Sequence, residues 1–342
     1  MTLIIFILVL GAIIFVHEFG HFIFAKLRGV YVYEFALGMG PKIISKKGKE
    51  TEYSLRLIPI GGFCSLAGEE IDEEKIKVPK NRRLQAKKPW ERFLIMFFGP
   101  GFNFIFALLI FFFVSLFTGS PNYEPIIAKV DKGYPAYTSG IRENDRIIKI
   151  DNNKIKTTDD AAIYLTLSKD VKKATLLIKK ATGDLVTYTI KPKKDKDEEY
   201  RYGLTMSGET KYGLINSIKY TFVKTNSLFR QMFITLGSLF TGKVKANQLS
   251  GPVGIYSIVG EQKKSGFTSI LYLMAFLSIN VGFINLIPLP AFDGGHILFI
   301  IIEKIKGSPV SPRVENMVHT IGLFLLMALM VYVTFNDIIR LF

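Results

Sequence analysis

An apolar run from Leu3 to Ala25 carries His17, Glu18 and His21 in its second half. A run of that length reads as a membrane-spanning helix, and in hydrocarbon two imidazoles and a carboxylate are costly unless they have a partner or a task. In the order His17-Glu18-Phe19-Gly20-His21 the histidines stand four apart and share one helix face. Both rings can therefore reach one metal ion, and the neighbouring Glu18 can reach a water molecule held there. Metal-assisted peptide hydrolysis needs that arrangement. By itself the pattern does not separate a working protease from a catalytically silent relative.

The rest of the chain fits a multi-pass α-helical membrane protein with a soluble insertion. Of its 342 residues 49% are hydrophobic, and a mean hydropathy of +0.28 is too apolar for an ordinary soluble domain. The net charge of +15 is not a nucleic-acid footprint: no binding motif for nucleic acid is present, and the basic residues flank the apolar runs. Positive-inside topology accounts for them. Between Arg28 and Arg92 there are 14 Lys and Arg, which places this loop in the cytoplasm and the N-terminus outside. No basic segment precedes Leu3, so the first run reads as a retained anchor. The single cysteine, Cys64, excludes an intramolecular disulfide and a thiolate cluster.

Along the chain, four spans are expected, at Leu3–Ala25, Phe93–Thr118, about Ile270–Ile287 and about Met317–Phe335. Gly99-Pro100-Gly101 should interrupt the second span, and Asn103 within it reads as an interhelical hydrogen-bonding residue. Between the first two spans, Tyr31 to Leu66 contains β-prone runs broken by glycine and proline. These either offer an open edge for pairing with an extended peptide or form an ordinary hairpin. Glu69 to Lys88 is charged and reads as a solvated connector. From Pro121 to Met206 strand-like runs alternate with turns, as in a soluble α+β domain. Tyr212 to Phe240 has helically spaced apolar residues, but Lys219, Lys224 and Arg230 favour an interfacial helix or helix pair over a span.

The third span runs into Asn285-Leu286-Ile287-Pro288-Leu289-Pro290-Ala291-Phe292-Asp293. Two prolines two apart forbid regular helix, and irregular backbone at membrane depth is tolerated only when it is buried or lines a wet cavity. His17 lies roughly 21 Å along its helix in a ~30 Å core, toward the cytoplasmic side where Asp293 also falls. Asp293 is therefore the expected third ligand, completing with His17 and His21 the three-ligand set of a catalytic zinc site, with Glu18 as general base. His296 is a less favoured rival to Asp293, and His319 reads as structural or interfacial. Asn285 either bonds substrate backbone or satisfies the broken helix end.

The motifs His17-Glu18-x-x-His21, Gly38-Met39-Gly40-Pro41, Lys88-Pro89-Trp90-x-Arg92-Phe93, Gly99-Pro100-x-x-Asn103, Ser250-Gly251-Pro252-Val253-Gly254 and Asn285-x-x-Pro288-x-Pro290-x-x-Asp293-Gly294 occur in this order. In that order they resemble the site-2 protease family of intramembrane zinc metalloproteases, of the bacterial regulator-of-sigma-E type. Within 121–206, Gly133-x-Pro135-Ala136, Gly140-Ile141 and Asn144-Asp145-Arg146-Ile147 resemble a PDZ domain, with Tyr202-Gly203-Leu204 as its carboxylate-binding loop. The resemblance implies cleavage of single-pass membrane proteins such as anti-sigma factors or signal-peptide remnants in a bacterial cell membrane. It also implies that Gly38, Met39, Gly40, Gly61, Gly62 and Phe63 hold unwound substrate, with zinc the one cofactor, the bilayer as surroundings, peptide termini at the PDZ domain and no nucleic acid. The expected divisions are 1–27 (first span with the zinc motif), 28–92 (cytoplasmic β region), 93–118 (second span), 121–206 (extracytoplasmic PDZ domain), 207–248 (interfacial helices), 249–296 (third span with the third ligand) and 297–342 (loop and fourth span). The competing readings are a silent PDZ-containing receptor and a metal transporter, which should show ionisable residues along a path through more than one span, whereas here they cluster at one depth.

Overall fold

In the computed structural model, which describes residues 1–69, 78–168, 173–195, 200–206, 209–242 and 250–340, the first apolar run is helix α1 (Thr2–Leu27). A hairpin of β1 (Val32–Lys47) and β2 (Glu52–Leu66) follows. Gly38 and Gly40 in β1 and Gly61 in β2 have left-handed φ, which a Cβ would oppose, and the strands bend there. The bends let two strands act as four segments: 32–37 pairs antiparallel with 62–66 and also meets 52–55, which in turn meets 44–47. Segment 62–66 is thus outermost, and among the described strands its far edge is unpaired. It lies along α1, where a Cβ on Gly62 would sit 3.4 Å from Ile14 and 3.5 Å from the Glu18 side chain.

The charged connector after the hairpin is not simply solvated. In its described part, two short 3-10 turns at 80–82 and 84–86 pack onto the hairpin, with Tyr31 N–H donating to Arg82 O and Leu84 N–H to Ala67 O. Leu84 is buried with Ala25, Val32, Phe35, Ile95 and Ile300 in one apolar core. That core fixes the hairpin against the helices.

Helix α2 (Pro89–Thr118) contradicts the expected interruption by running unbroken through Pro100. Its glycines are crossing points. A Cβ on Gly99 would collide with the His21 ring, and one on Gly20 would collide with the carbonyl of Phe98. Removing both side chains lets α1 and α2 approach at the depth of the histidines.

The chain separates into two units, Met1–Ile110 with Asn247–Phe342, and Phe111–Ala246. The second is α+β and contains β3 (Ser120–Pro121), β4 (Ile127–Val130), α3 (Pro135–Thr138), β5 (Arg146–Ile150), β6 (Asn153–Lys154), α4 (Thr158–Leu167), β7 (Ala174–Lys179), β8 (Leu185–Ile190), β9 (Lys193–Lys194), β10 (Tyr200–Arg201), β11 (Leu204–Met206), β12 (Thr210–Lys211) and α5 (Leu214–Phe240). Its sheet has the order β6-β5-β7-β8, β11 pairs with β4, and the inward residues Ile127, Ile147, Ile150, Leu176 and Ile178 form the core. Thr157 and Asp160 close a capping box on α4, and Asp160 also takes two bonds from Arg230 of α5. Lys224 pairs with Asp159 at 2.7 Å, so two of the three cations that argue against a span, Lys224 and Arg230, tie α5 to α4. Helix α5 leaves Ile215, Phe222, Phe233 and Phe240 exposed.

Back in the first unit, a separate helix, α6 (Pro252–Lys264), precedes α7 (Phe267–Leu286). Asp337 caps α6 by accepting the Gly251 and Gly254 N–H groups at 2.9 and 2.8 Å. After the irregular 287–292 come α8 (Asp293–Lys306) and α9 (Pro312–Ile339). Asp293 thus follows the break after α7 and opens α8. Among the described residues, α1, α2, α7 and α9 (from Arg313) are long and apolar enough to cross a membrane.

A candidate metal centre

His17 and His21 emerge from one face of α1 with their Nε2 atoms 3.3 Å apart. The first turn of α8 brings Asp293 to them, Oδ2 at 3.2 Å from His17 Nε2 and Oδ1 at 3.4 Å from His21 Nε2. At that distance Asp293 Oδ2 is buried but makes no hydrogen bond. The separations of 3.3 Å between the ring nitrogens and of 3.2 and 3.4 Å from each to its nearer Asp293 oxygen are about those between neighbouring ligands of a tetrahedral zinc with ~2.0–2.1 Å bonds to nitrogen and oxygen. The spacing and the donor set suit zinc.

The outer ring nitrogens decide whether the inner ones carry a lone pair. His21 Nδ1 lies 2.9 Å from the carbonyl oxygen of Ile95, to which it can only donate, so its Nε2 is left as an acceptor. His17 Nδ1 lies 3.2 Å from the carboxamide nitrogen Nδ2 of Asn103, a fully buried residue. Ser278 of α7 donates to the backbone oxygen of Asn103 at 2.9 Å. Asn103 is therefore interhelical, but it is also the outer partner of His17, a role its sequence position does not show.

The cluster faces a cavity of about 860 Å³ lined also by Glu18, Asn285 and the outer hairpin segment from Phe63 to Leu66. Glu34, Lys42, Glu52 and Arg56 make its wall polar through a network in which Arg56 bonds Glu34 at 2.8 Å and Lys42 bonds Glu52 at 2.7 Å. Burial, then the nearby Glu18 and Glu69, push the Cys64 thiol up, so it is no nucleophile. Asn285 donates to the Val281 carbonyl at 3.0 Å. Of the expected substrate residues, Phe63 and Asn285 line the cavity and Gly62 borders Glu18, whereas Gly38, Met39, Gly40 and Gly61 stand at the bends, where Met39 packs on Gly61.

His296 is not placed with the first cluster. Its Nδ1 is 3.2 Å from Glu315 and its ring stacks on His319 at 3.8 Å, and these three offer ligand-type atoms within 4.8 Å of one another. The Ala291 N–H donates to His319 Nδ1 at 3.1 Å. A backbone N–H can only donate, so a neutral His319 carries its proton on Nε2 and has no lone pair to give a metal. A cavity of about 30 Å³ beside this group is lined by Glu69, Arg92, His296 and Glu315. Glu69 lines both cavities, and burial raises its carboxyl from 4.5 to about 7.

The sequence pattern of peptidase family M50 matches residues 5–329. A Clostridium perfringens protein named as a zinc metalloprotease is 41% identical over 340 residues, covering 99% of both chains. Zinc metalloprotease RasP of Bacillus licheniformis is 32% identical over 418 aligned positions, covering 100% of this chain and 99% of the relative.

Proposed function

The chain belongs to peptidase family M50, and from that premise we propose that His17, His21 and Asp293 hold its zinc, that Glu18 is its general base, and that it cleaves single-pass membrane proteins within the bilayer. The observation that carries the reading is the meeting of the three donors, each outer nitrogen of the histidines engaged, in a cavity that Glu18 shares. When bound, zinc supplies Lewis acidity toward a peptide carbonyl and acidifies water at neutral pH. Asn103 Nδ2 faces His17 Nδ1 and its buried Oδ1 has no partner; with the carboxamide flipped, Oδ1 accepts the Nδ1 proton and frees Nε2, as the Ile95 carbonyl does for His21. Glu18 takes the proton from the attacking water and returns it to the leaving amine.

A transmembrane substrate hides its carbonyls in helical hydrogen bonds and must unwind before attack. The free edge of segment 62–66 borders the cavity and offers new backbone partners to an extended peptide, so strand addition offsets the lost bonds. The Asn285 amide is spent on Val281, leaving its carbonyl for a substrate N–H. The α+β unit acts as an extracytoplasmic PDZ domain: Gly203, with φ +78, turns the chain into β11 as a carboxylate-binding loop requires. The exposed phenylalanines of α5 lie in the membrane interface. The protein sits in the bacterial cell membrane with its N-terminus and PDZ domain outside, and its substrates are anti-sigma-factor or signal-peptide-remnant proteins.

The test is cleavage of a purified single-pass substrate by wild type and Glu18→Gln. The variant should keep its zinc and lose at least about 100-fold in rate, the scale of general-base catalysis. Wild-type cleavage by Glu18→Gln would remove Glu18 from the mechanism.

A further inference from the structure

The third ligand arrives on the only irregular backbone between α7 and α8, which raises the question of what fixes that stretch. Within it Ala291 has φ +73, a left-handed conformation that a Cβ disfavours. Such a residue persists only when its surroundings over-determine it. The local bonds are few: Leu289 N–H to Ile287 O at 2.7 Å, Phe292 N–H to Leu289 O at 3.4 Å and Gly295 N–H to Phe292 O at 2.9 Å. None of them involves Ala291. Its N–H instead leaves the turn and donates to His319 Nδ1 on α9.

From these contacts we infer that His319 is a positioning residue for the zinc site, acting through the Ala291 turn on Asp293. Two further observations support it. The His319 ring is held from its other face by the stacked His296, itself bonded to Glu315 one helical turn from His319, so the acceptor nitrogen has a fixed direction. On the same face of α9, Gly322 leaves just enough room for Pro290, with which any Cβ there would collide. Residues 319 and 322 therefore seat the turn from one side by a hydrogen bond and by a glycine contact. Two residues beyond Ala291, Asp293 reaches both histidines. The chemistry explains why a histidine in this second group does not need a metal: its task is to present an Nδ1 lone pair to a backbone donor, and the tautomer that does so leaves an N–H, not a lone pair, on the buried Nε2.

The inference rests on Asp293 being a ligand, and the experiment separates the two. Zinc affinity is measured by chelator competition on the purified full chain for His319→Asn, His319→Leu and Asp293→Ala, together with the visible spectrum of the cobalt-substituted protein. Asparagine places its Oδ1 where Nδ1 stood and preserves the acceptor; leucine keeps bulk and removes it. His319→Leu should weaken zinc binding by about 10-fold or more, as loss of outer support for a ligand does, and alter the cobalt spectrum. His319→Asn should stay within about 3-fold of wild type, with its spectrum, since the supporting bond is kept. Wild-type affinity and spectrum in His319→Leu, or equal losses in both variants, would overturn the inference. If the leucine variant does not fold, His319→Gln, whose carbonyl lies one methylene too far, takes its place with the same expected loss. Should Asp293→Ala itself keep wild-type zinc affinity, the ligand assignment is what fails.

Discussion

Among its described residues the first unit holds two groups of two histidines and one carboxylate, and they are chemical opposites. In both, ligand-type atoms lie within 4.8 Å of one another. In the first, the outer nitrogen of His21 meets a carbonyl oxygen; in the second, the outer nitrogen of His319 meets a backbone N–H. One partner can only accept and the other can only donate, so the inner nitrogens carry a lone pair in one case and a proton in the other. The carboxylates differ too. Asp293 Oδ2 is buried without a hydrogen bond, while Glu315 is bonded to His296. Proximity of ligand-type side chains therefore does not make a metal site; the group behind each ring does.

The comparison can be broken at the helix crossing. Gly99→Ala puts a methyl group into the His21 ring, which must move; zinc binding should be lost and stability should fall by about 1–3 kcal/mol, as overpacking does. Zinc retained at wild-type affinity would mean that the crossing does not set the first group. Asn103→Leu tests the outer support of His17. Chelator competition should show zinc held about 10- to 100-fold more weakly, and an unchanged affinity would leave His17 needing no partner. The smallest effect concerns Glu69, which lines both cavities. Its folded-state value of about 7 exceeds the ordinary 4.5, so the folded protein binds this proton more tightly. The stability it contributes is complete below about pH 4.5 and is lost as pH rises through 7. Melting temperature should fall across that window in wild type and fall less in Glu69→Gln; parallel profiles would place the titration elsewhere.

Much of the first group was legible in the sequence, because His17 and His21 obey helical spacing and Asp293 follows a double-proline break that cannot be idle in a membrane. The spans were legible from length and apolarity. What was not legible depends on tertiary contact. Gly99-Pro100-Gly101 has the composition of a break, yet α2 continues through it, and the His21 ring of α1 fills the space at Gly99. Asn103 and Ile95 support the histidines across a helix interface, one with its side chain and the other with a backbone carbonyl that any residue would carry. Glu69 and Leu84 lie in a charged stretch whose composition predicts solvent, and the burial of Leu84 comes from packing on the hairpin. The separate helix α6 is capped by Asp337 from 83 positions away, counted from Gly254. No local pattern carries that information.

The central claim is that one group binds zinc and the other does not, and metal content at saturating zinc tests it most directly. Elemental analysis of wild type, His21→Ala and Glu315→Ala should give about one zinc per chain, none, and about one, as a single three-ligand site requires. Two zinc ions in wild type, or loss of zinc from Glu315→Ala with retention in His21→Ala, would contradict it.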